Sequence, residues 1–329
     1  MRIGIVGTGD VAVGNYLPFL SNEANVKLGL YNRNQEKAKA AAANFDATAF
    51  SALETLADWR PDTVLVLTNE TTRYEVVLEL LRLGLPRMLC EKPLVAALGQ
   101  ARVSEADFER GREILNLAKE KNCEMAMMFN YRFFDQTLLA KRIAAERNFG
   151  DVVHVSAQVH YACWSHCIDL VRHFAGDFEE ITALAGKVSR EGQGIVAQDI
   201  TAAFRMENGA TGTLLGTAGM KWQYPLYEMF ITYEVGRIHM RDIDGEIEVL
   251  DGRKAMHERI AFSRDSSRWN SYGSSFVKAL TAYQQSIKDG APPPASGMDG
   301  LKELQTEAAI KRSIETGRSV AVTSEFPIT

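Results

Sequence analysis

Two stretches of the chain carry residue types suited to chemistry. The first, Leu89-Cys90-Glu91-Lys92-Pro93-Leu94, sets an ammonium beside a carboxylate, and Pro93 confines Lys92 to an extended backbone. In isolation Glu-Lys-Pro reads as solvated surface, since Lys and Glu are almost always exposed. At the carboxyl edge of a parallel sheet the same lysine would hydrogen-bond a substrate hydroxyl, stabilise a developing alkoxide and favour departure of a hydride. The second stretch is Gly7-Thr8-Gly9-Asp10-Val11-Ala12. There Gly7 lets the chain reverse, Gly9 lets backbone N–H groups approach a pyrophosphate, and Ala12 lets a helix lie close to a strand. The N-terminus of that helix offers partial positive charge to phosphates.

Both stretches need a particular scaffold. Residues 2–6 read as a buried strand, the glycines as a tight turn, and residues 10–20 as the helix that follows. Strands are expected at 26–31, 62–68, 87–90 and 124–129, with helices at 34–44, 51–57, 71–83 and 104–121 between them. The run 62–68 is continuously apolar, as in a strand buried on both faces. Such alternation implies a doubly wound parallel Rossmann sheet, placed in a dinucleotide-binding domain over residues 1–123. Its carboxyl edge gathers Gly7, Thr8, Gly9, Asp10, Val11, Asn32, Arg33, Thr68, Asn69, Glu91 and Lys92 as the cofactor-binding candidates.

Beyond this the pattern changes. Strands are expected at 150–161, 180–188, 200–206, 211–216, 226–232, 236–241 and 246–250, with Glu207-Asn208-Gly209 as a hairpin turn. Short connections predict antiparallel pairing. Helices at 271–288 and 300–316 flank Pro292-Pro293-Pro294. Residues 124–329 are thus expected to form an α+β substrate-binding and oligomerisation domain with an open, mainly antiparallel sheet, giving an α/β chain of two domains.

Composition agrees. The 329 residues are 46% apolar and 24% charged, as in a soluble globular protein, and too many for one ordinary core. A net charge of −5 offers no basic field for nucleic acid or anionic membrane. No apolar run reaches membrane-spanning length. Because Arg2 already stands in a core strand, the expected compartment is the cytoplasm, where Cys90, Cys123, Cys163 and Cys167 are reduced thiols.

The end of the second strand bears on cofactor choice. NAD-binding folds usually carry Asp or Glu there, which repels a 2′-phosphate. Here Tyr31-Asn32-Arg33-Asn34 removes that repulsion and offers a guanidinium, which points to NADP ahead of NAD unless Arg33 is simply solvated. Downstream, His160, Cys163, His166 and Cys167 are soft ligand types, but their spacing across a loop-to-helix junction does not make a zinc site, and no metal is expected. Tyr161 and Trp164 suit either an apolar wall for a sugar ring or packing at a domain junction. By itself His166 reads as a structural histidine ahead of a base; it opens a helix over 167–174, whose N-terminus would lower its proton affinity. His173 reads as structural.

The sequence resembles the glucose-fructose oxidoreductase, inositol dehydrogenase and rhizopine-catabolism family of NAD(P)-dependent oxidoreductases. The resemblance rests on Gly4-Ile5-Val6-Gly7-Thr8-Gly9 followed by Tyr16-Leu17-Pro18, on residues 64–68, on Glu91-Lys92-Pro93, and on Tyr131-Arg132-Phe133. It extends to His166-Cys167-Ile168-Asp169, Asp299-Gly300-Leu301 and Gly317-Arg318-Ser319-Val320, so it covers nearly the whole chain. It implies hydride transfer between a nicotinamide and a hydroxyl or carbonyl carbon of a sugar, polyol or related small molecule. Lys92 and His166 carry the catalytic roles, and Arg132, Tyr161, Trp164 and Asp169 stand as substrate-side candidates. It also implies a homodimer or homotetramer formed through the second sheet. The chain departs from the family in having Ala162 where polyol dehydrogenases have an aspartate, Tyr161-Ala162-Cys163-Trp164-Ser165 in place of a glycine-rich approach, and Arg73 where a histidine is common. Those departures keep open a dinucleotide-bound sensor without catalysis, and a lyase or glycosidase that uses NAD transiently.

Overall fold

The computed structural model describes residues 1–219, 225–262 and 267–328. Its first sheet contains β1 (Arg2–Val6), β2 (Lys27–Tyr31), β3 (Thr48–Phe50), β4 (Thr63–Val66), β5 (Arg87–Cys90) and β6 (Glu124–Met127), in the order β3-β2-β1-β4-β5-β6 and parallel throughout. Strands β1, β4 and β5 are apolar and almost wholly buried, as expected where helices cover both faces. The strand order reverses between β1 and β4, and in doubly wound sheets the crevice beyond the carboxyl ends at this reversal holds the ligand. The expected Rossmann sheet is present, with β3 as an added short edge strand.

The second sheet has nine strands: β7 (Val152–His160), β8 (Phe178–Gly192), β9 (Ile195–Met206), β10 (Thr211–Thr217), β11 (Tyr227–Tyr233), β12 (Gly236–Arg241), β13 (Ile247–Asp251), β14 (Met256–Ile260) and β15 (Val320–Ala321). Their order is β14-β13-β12-β11-β7-β10-β9-β8-β15. Alternation along β11, with Tyr227, Met229, Ile231 and Tyr233 buried and the residues between them half-buried, marks one core face and one open face. Pairing is antiparallel except where β10 runs parallel to β7. The exception follows from the connections. The helix Trp164–Ala175 carries the chain across so that β8 starts in the direction of β7, and two hairpins then bring β10 back to that direction.

Contacts divide the chain into two compact units, one of residues 1–99, 106–129 and 276–304, the other of residues 100–105, 130–275 and 305–329. Each is assembled from separated stretches, in place of a single cut after residue 123. Strand β6 goes with the first unit because it pairs with β5, and Met127 N–H donates to Ala295 O at 2.9 Å, which holds the 276–304 stretch there.

Candidate active site

In the first unit, the turn after β1 is fixed by Gly7. Its φ is +102°, and a Cβ there would lie 2.8 Å from the Leu67 carbonyl carbon and 2.9 Å from Thr68 N. Only glycine combines that backbone with so close an approach of the segment after β4. Gly9 differs, because a Cβ on it would meet no protein atom within 4 Å. Its lack of a Cβ is therefore not required by packing against the protein. Asp10 and Val11 are exposed beside it.

Beyond β2, the Asn32 amide donates to Thr8 Oγ1 at 2.9 Å and its carbonyl accepts from Asn34 N at 2.9 Å, so both ends of this side chain hold the turn together. Asn34 caps the next helix. Arg33 is exposed, with no hydrogen bond or ion pair to any described residue. Beyond β4, Asn69 caps the helix Glu70–Arg82, accepting from Thr71 N at 2.9 Å. The Thr68 hydroxyl is buried without a hydrogen-bond partner. A buried orphan hydroxyl, an uncovered Gly9 and a glycine-bound strand crossover at one sheet edge fit a dinucleotide.

Beyond β5 lies the Glu91-Lys92-Pro93 turn, whose Lys92–Pro93 peptide is cis. Glu91 is buried, and its carboxylate accepts from Tyr16 Oη at 2.5 Å and from the Lys92 backbone N–H at 3.1 Å. Tyr16 reaches it from the end of a π-helical turn, Ala12–Tyr16, that opens the helix after the glycines. Lys92 itself is half-buried. From below, the buried Arg73 guanidinium donates to the carbonyls of Glu91 (2.7 Å), Pro93 and Thr68 (2.6 Å). Burial lowers the Arg73 pKa, opposed by the negative groups around it. The same burial pushes the Cys90 thiol up to about 12, so it is an inert core group.

In the second unit, the helix Trp164–Ala175 begins earlier than expected and places His166 inside its first turn, buried. The imidazole stacks on Tyr131, with centroids 4.0 Å apart and planes 3° apart. Tyr131 Oη lies 2.9 Å from Cys163 Sγ, and burial raises the Tyr131 pKa well above its ordinary value, so the phenol stays neutral. Three residues after His166, Asp169 accepts from Arg132 Nε at 2.8 Å and from Nη2 at 2.5 Å. The two substrate-side candidates thus form one buried bidentate ion pair. Trp164 donates from Nε1 to Glu307 at 3.0 Å and leaves so little room that a Cβ on Gly216 would touch it at 2.6 Å. Tyr161 donates to Gln198 O at 2.7 Å and is equally buried. Both aromatics pack within the unit.

His160 Nδ1 accepts from Ala162 N at 3.1 Å, and burial lowers its pKa. Burial likewise raises the Cys167 thiol. Among the described residues, no three His, Cys, Asp or Glu side chains are grouped to hold a metal ion, and no helix is long and apolar enough to cross a membrane.

Sequence reasoning gave no role to Tyr16, Arg73 or Tyr131. A signal existed for Arg73: it stands four residues before Val77, on the buried stripe of its helix with Val77, Leu80 and Leu81, where a cation must have acceptors.

Residues 1–129 match the model of the oxidoreductase family with an NAD-binding Rossmann fold, and residues 157–239 match the GFO/IDH/MocA C-terminal domain. The chain belongs to this oxidoreductase family. Among curated relatives it is 22% identical to myo-inositol 2-dehydrogenase of Thermotoga maritima, over 97% of this chain and 98% of that one. It is 29% identical to an uncharacterized oxidoreductase of Schizosaccharomyces pombe, over 48% of this chain and 42% of that protein, so the match spans under half of that relative. The fold of this family member is that of an Agrobacterium radiobacter oxidoreductase whose structure holds NAD+, L-tartaric acid and magnesium, with a TM-score of 0.82, 17% identity and 99% of each chain covered.

Proposed function

We propose that the protein is an NAD(P)-dependent dehydrogenase or reductase acting on a hydroxyl or carbonyl carbon of a sugar, polyol or similar polyhydroxylated small molecule. The observation that carries this is the Glu91–Lys92 turn, which stands past β5 on the dinucleotide edge with its backbone held by Glu91 and Arg73. The myo-inositol named for the Thermotoga relative supports the substrate class. A bound nicotinamide supplies the hydride acceptor or donor. Thr8, Gly9, Asp10, Val11, Thr68 and Asn69 are the residues that would hold the dinucleotide. Lys92 donates a hydrogen bond to the reacting oxygen and offsets the negative charge that grows there, and His166 takes up or returns the proton. Asp169 stands one turn along the helix from His166 and is held there by Arg132, which reaches it from the turn Asn130–Phe133.

The cofactor is read as NADP in preference to NAD. Support comes from the absence of a carboxylate at Tyr31-Asn32-Arg33-Asn34, from an Asn32 amide already engaged, and from an Arg33 guanidinium open to a 2′-phosphate.

The test is fluorescence titration of the purified chain with NADPH and NADH, followed by sugars, polyols and small ketones. Binding followed by substrate-dependent loss of nicotinamide signal is expected, with NADPH bound more tightly and that preference lost in Arg33→Ala. Lys92→Ala is expected to abolish turnover and keep cofactor affinity within about threefold; normal turnover would overturn the mechanism. Binding with no turnover on any compound would favour a sensor.

A further inference from the structure

Three backbone carbonyls lie just past the ends of β4 and β5, where the sheet ladder no longer supplies donors: Thr68, Glu91 and Pro93. All three are satisfied by one side chain, Arg73, which is 2% exposed. Nη1 serves Glu91 and Pro93, and Nη2 serves Thr68. Glu91 and Pro93 are the immediate neighbours of Lys92. The planar fork of a guanidinium spans two strand ends with fixed angles, which an ammonium does not. Burying it costs desolvation, offset by those carbonyls and by the nearby Glu91 and Glu70 charges. Arg73 ties the cofactor-side segment after β4 to the lysine-bearing turn after β5, while Tyr16 and Glu91 hold the same turn from the other end.

We infer that Arg73 is a positioning residue for Lys92: by fixing the carbonyls on either side of Lys92 against Thr68, it sets the backbone from which the ammonium is presented. This rests on the reading of Lys92 as the residue that meets the reacting oxygen.

The test uses the full chain as Arg73→Lys and Arg73→Gln, with three readouts: NADPH affinity, kcat against KM on a substrate found by the panel, and amide hydrogen exchange of the peptide covering residues 90–95. Arg73→Lys is expected to lower kcat at least tenfold, with KM and NADPH affinity within about threefold of the parent. Exchange at the Lys92 amide is expected to quicken at least tenfold, more in Arg73→Gln than in Arg73→Lys. Parental kcat and parental exchange in both variants would overturn the inference. So would loss of NADPH binding and of thermal stability in Arg73→Lys, which would make Arg73 a support of the fold alone. Lys92→Ala separates the two claims: full turnover there removes the role of Lys92, while the exchange readout still reports whether Arg73 holds the turn.

Discussion

The Tyr131 ring lies parallel to the His166 imidazole, 4.0 Å away, with its hydroxyl 2.9 Å from the Cys163 sulfur. One aromatic side chain thus covers a face of the histidine and is itself held in place through the residue before its helix. Tyr131→Phe keeps the ring and loses only a buried hydroxyl contact, so a loss of about 1 kcal/mol is expected. Tyr131→Ala removes the stacked ring and opens a cavity, with an expected loss of about 3–5 kcal/mol. Urea unfolding of both variants checks this; equal losses would show that the ring is not packed on His166.

Arg132 and Asp169 are both buried and bonded through two N–H donors. Removing one partner of such a pair strands the other charge at a cost of about 3–5 kcal/mol, whereas replacing both by apolar groups is often near neutral. Lys141 senses both groups, drawn by Asp169 and repelled by Arg132. Asp169→Leu therefore strands the Arg132 guanidinium with the repulsion from Lys141 no longer offset, and Arg132→Met leaves Asp169 only the longer-range attraction of Lys141, which itself donates to His173 O. The expected order of destabilisation is Asp169→Leu, then Arg132→Met, then the double variant, measured as a double-mutant cycle.

The legible parts of this molecule are those governed by local pattern. The glycine turn, the apolar runs of β1 and β4 and the Glu-Lys-Pro turn announce the dinucleotide sheet, because each rule there acts over a few residues. The parallel pairing of β10 with β7 was not legible, since it depends on a crossover and two hairpins and on no property of either strand. Strand β14, with Met256, His257 and Arg259, lacks the apolar alternation by which strands are recognised. From residue type alone Tyr161 and Trp164 suit a substrate wall and packing at a domain junction equally. Their commitments to Gln198 and Glu307 lie 37 and 143 residues away in sequence.

Acid sensitivity follows from the C-terminal segment. The Arg318 guanidinium, with the Ala321 N–H and Arg312, holds the Glu325 carboxylate at about 2 in place of 4.5, against the opposing effect of burial. A carboxylate with a depressed folded-state pKa contributes stability above its unfolded value and loses it as pH falls through the folded one. The advantage of the parent over Glu325→Gln is therefore expected to be full at pH 7, to shrink below about pH 5 and to vanish near pH 2. Thermal unfolding of both proteins across that range measures it, and a difference independent of pH would contradict the assignment.

Gly7 and Gly9 separate folding from binding within three residues. At Gly7 a methyl group would sit 2.8–2.9 Å from the backbone of Leu67 and Thr68 on a residue with φ +102°. Gly7→Ala is thus expected to be destabilised by several kcal/mol, on the order of the cost of strained backbone plus overpacking. At Gly9 the methyl group meets no protein atom, so Gly9→Ala should keep the parental unfolding midpoint. The same methyl group projects into the space where a pyrophosphate must approach the backbone, and NADPH affinity should fall at least tenfold. Calorimetric unfolding paired with NADPH titration distinguishes the two effects. A Gly9→Ala variant that binds NADPH like the parent would remove the glycine turn from the cofactor site, since an uncovered Gly9 would then serve neither the fold nor the ligand.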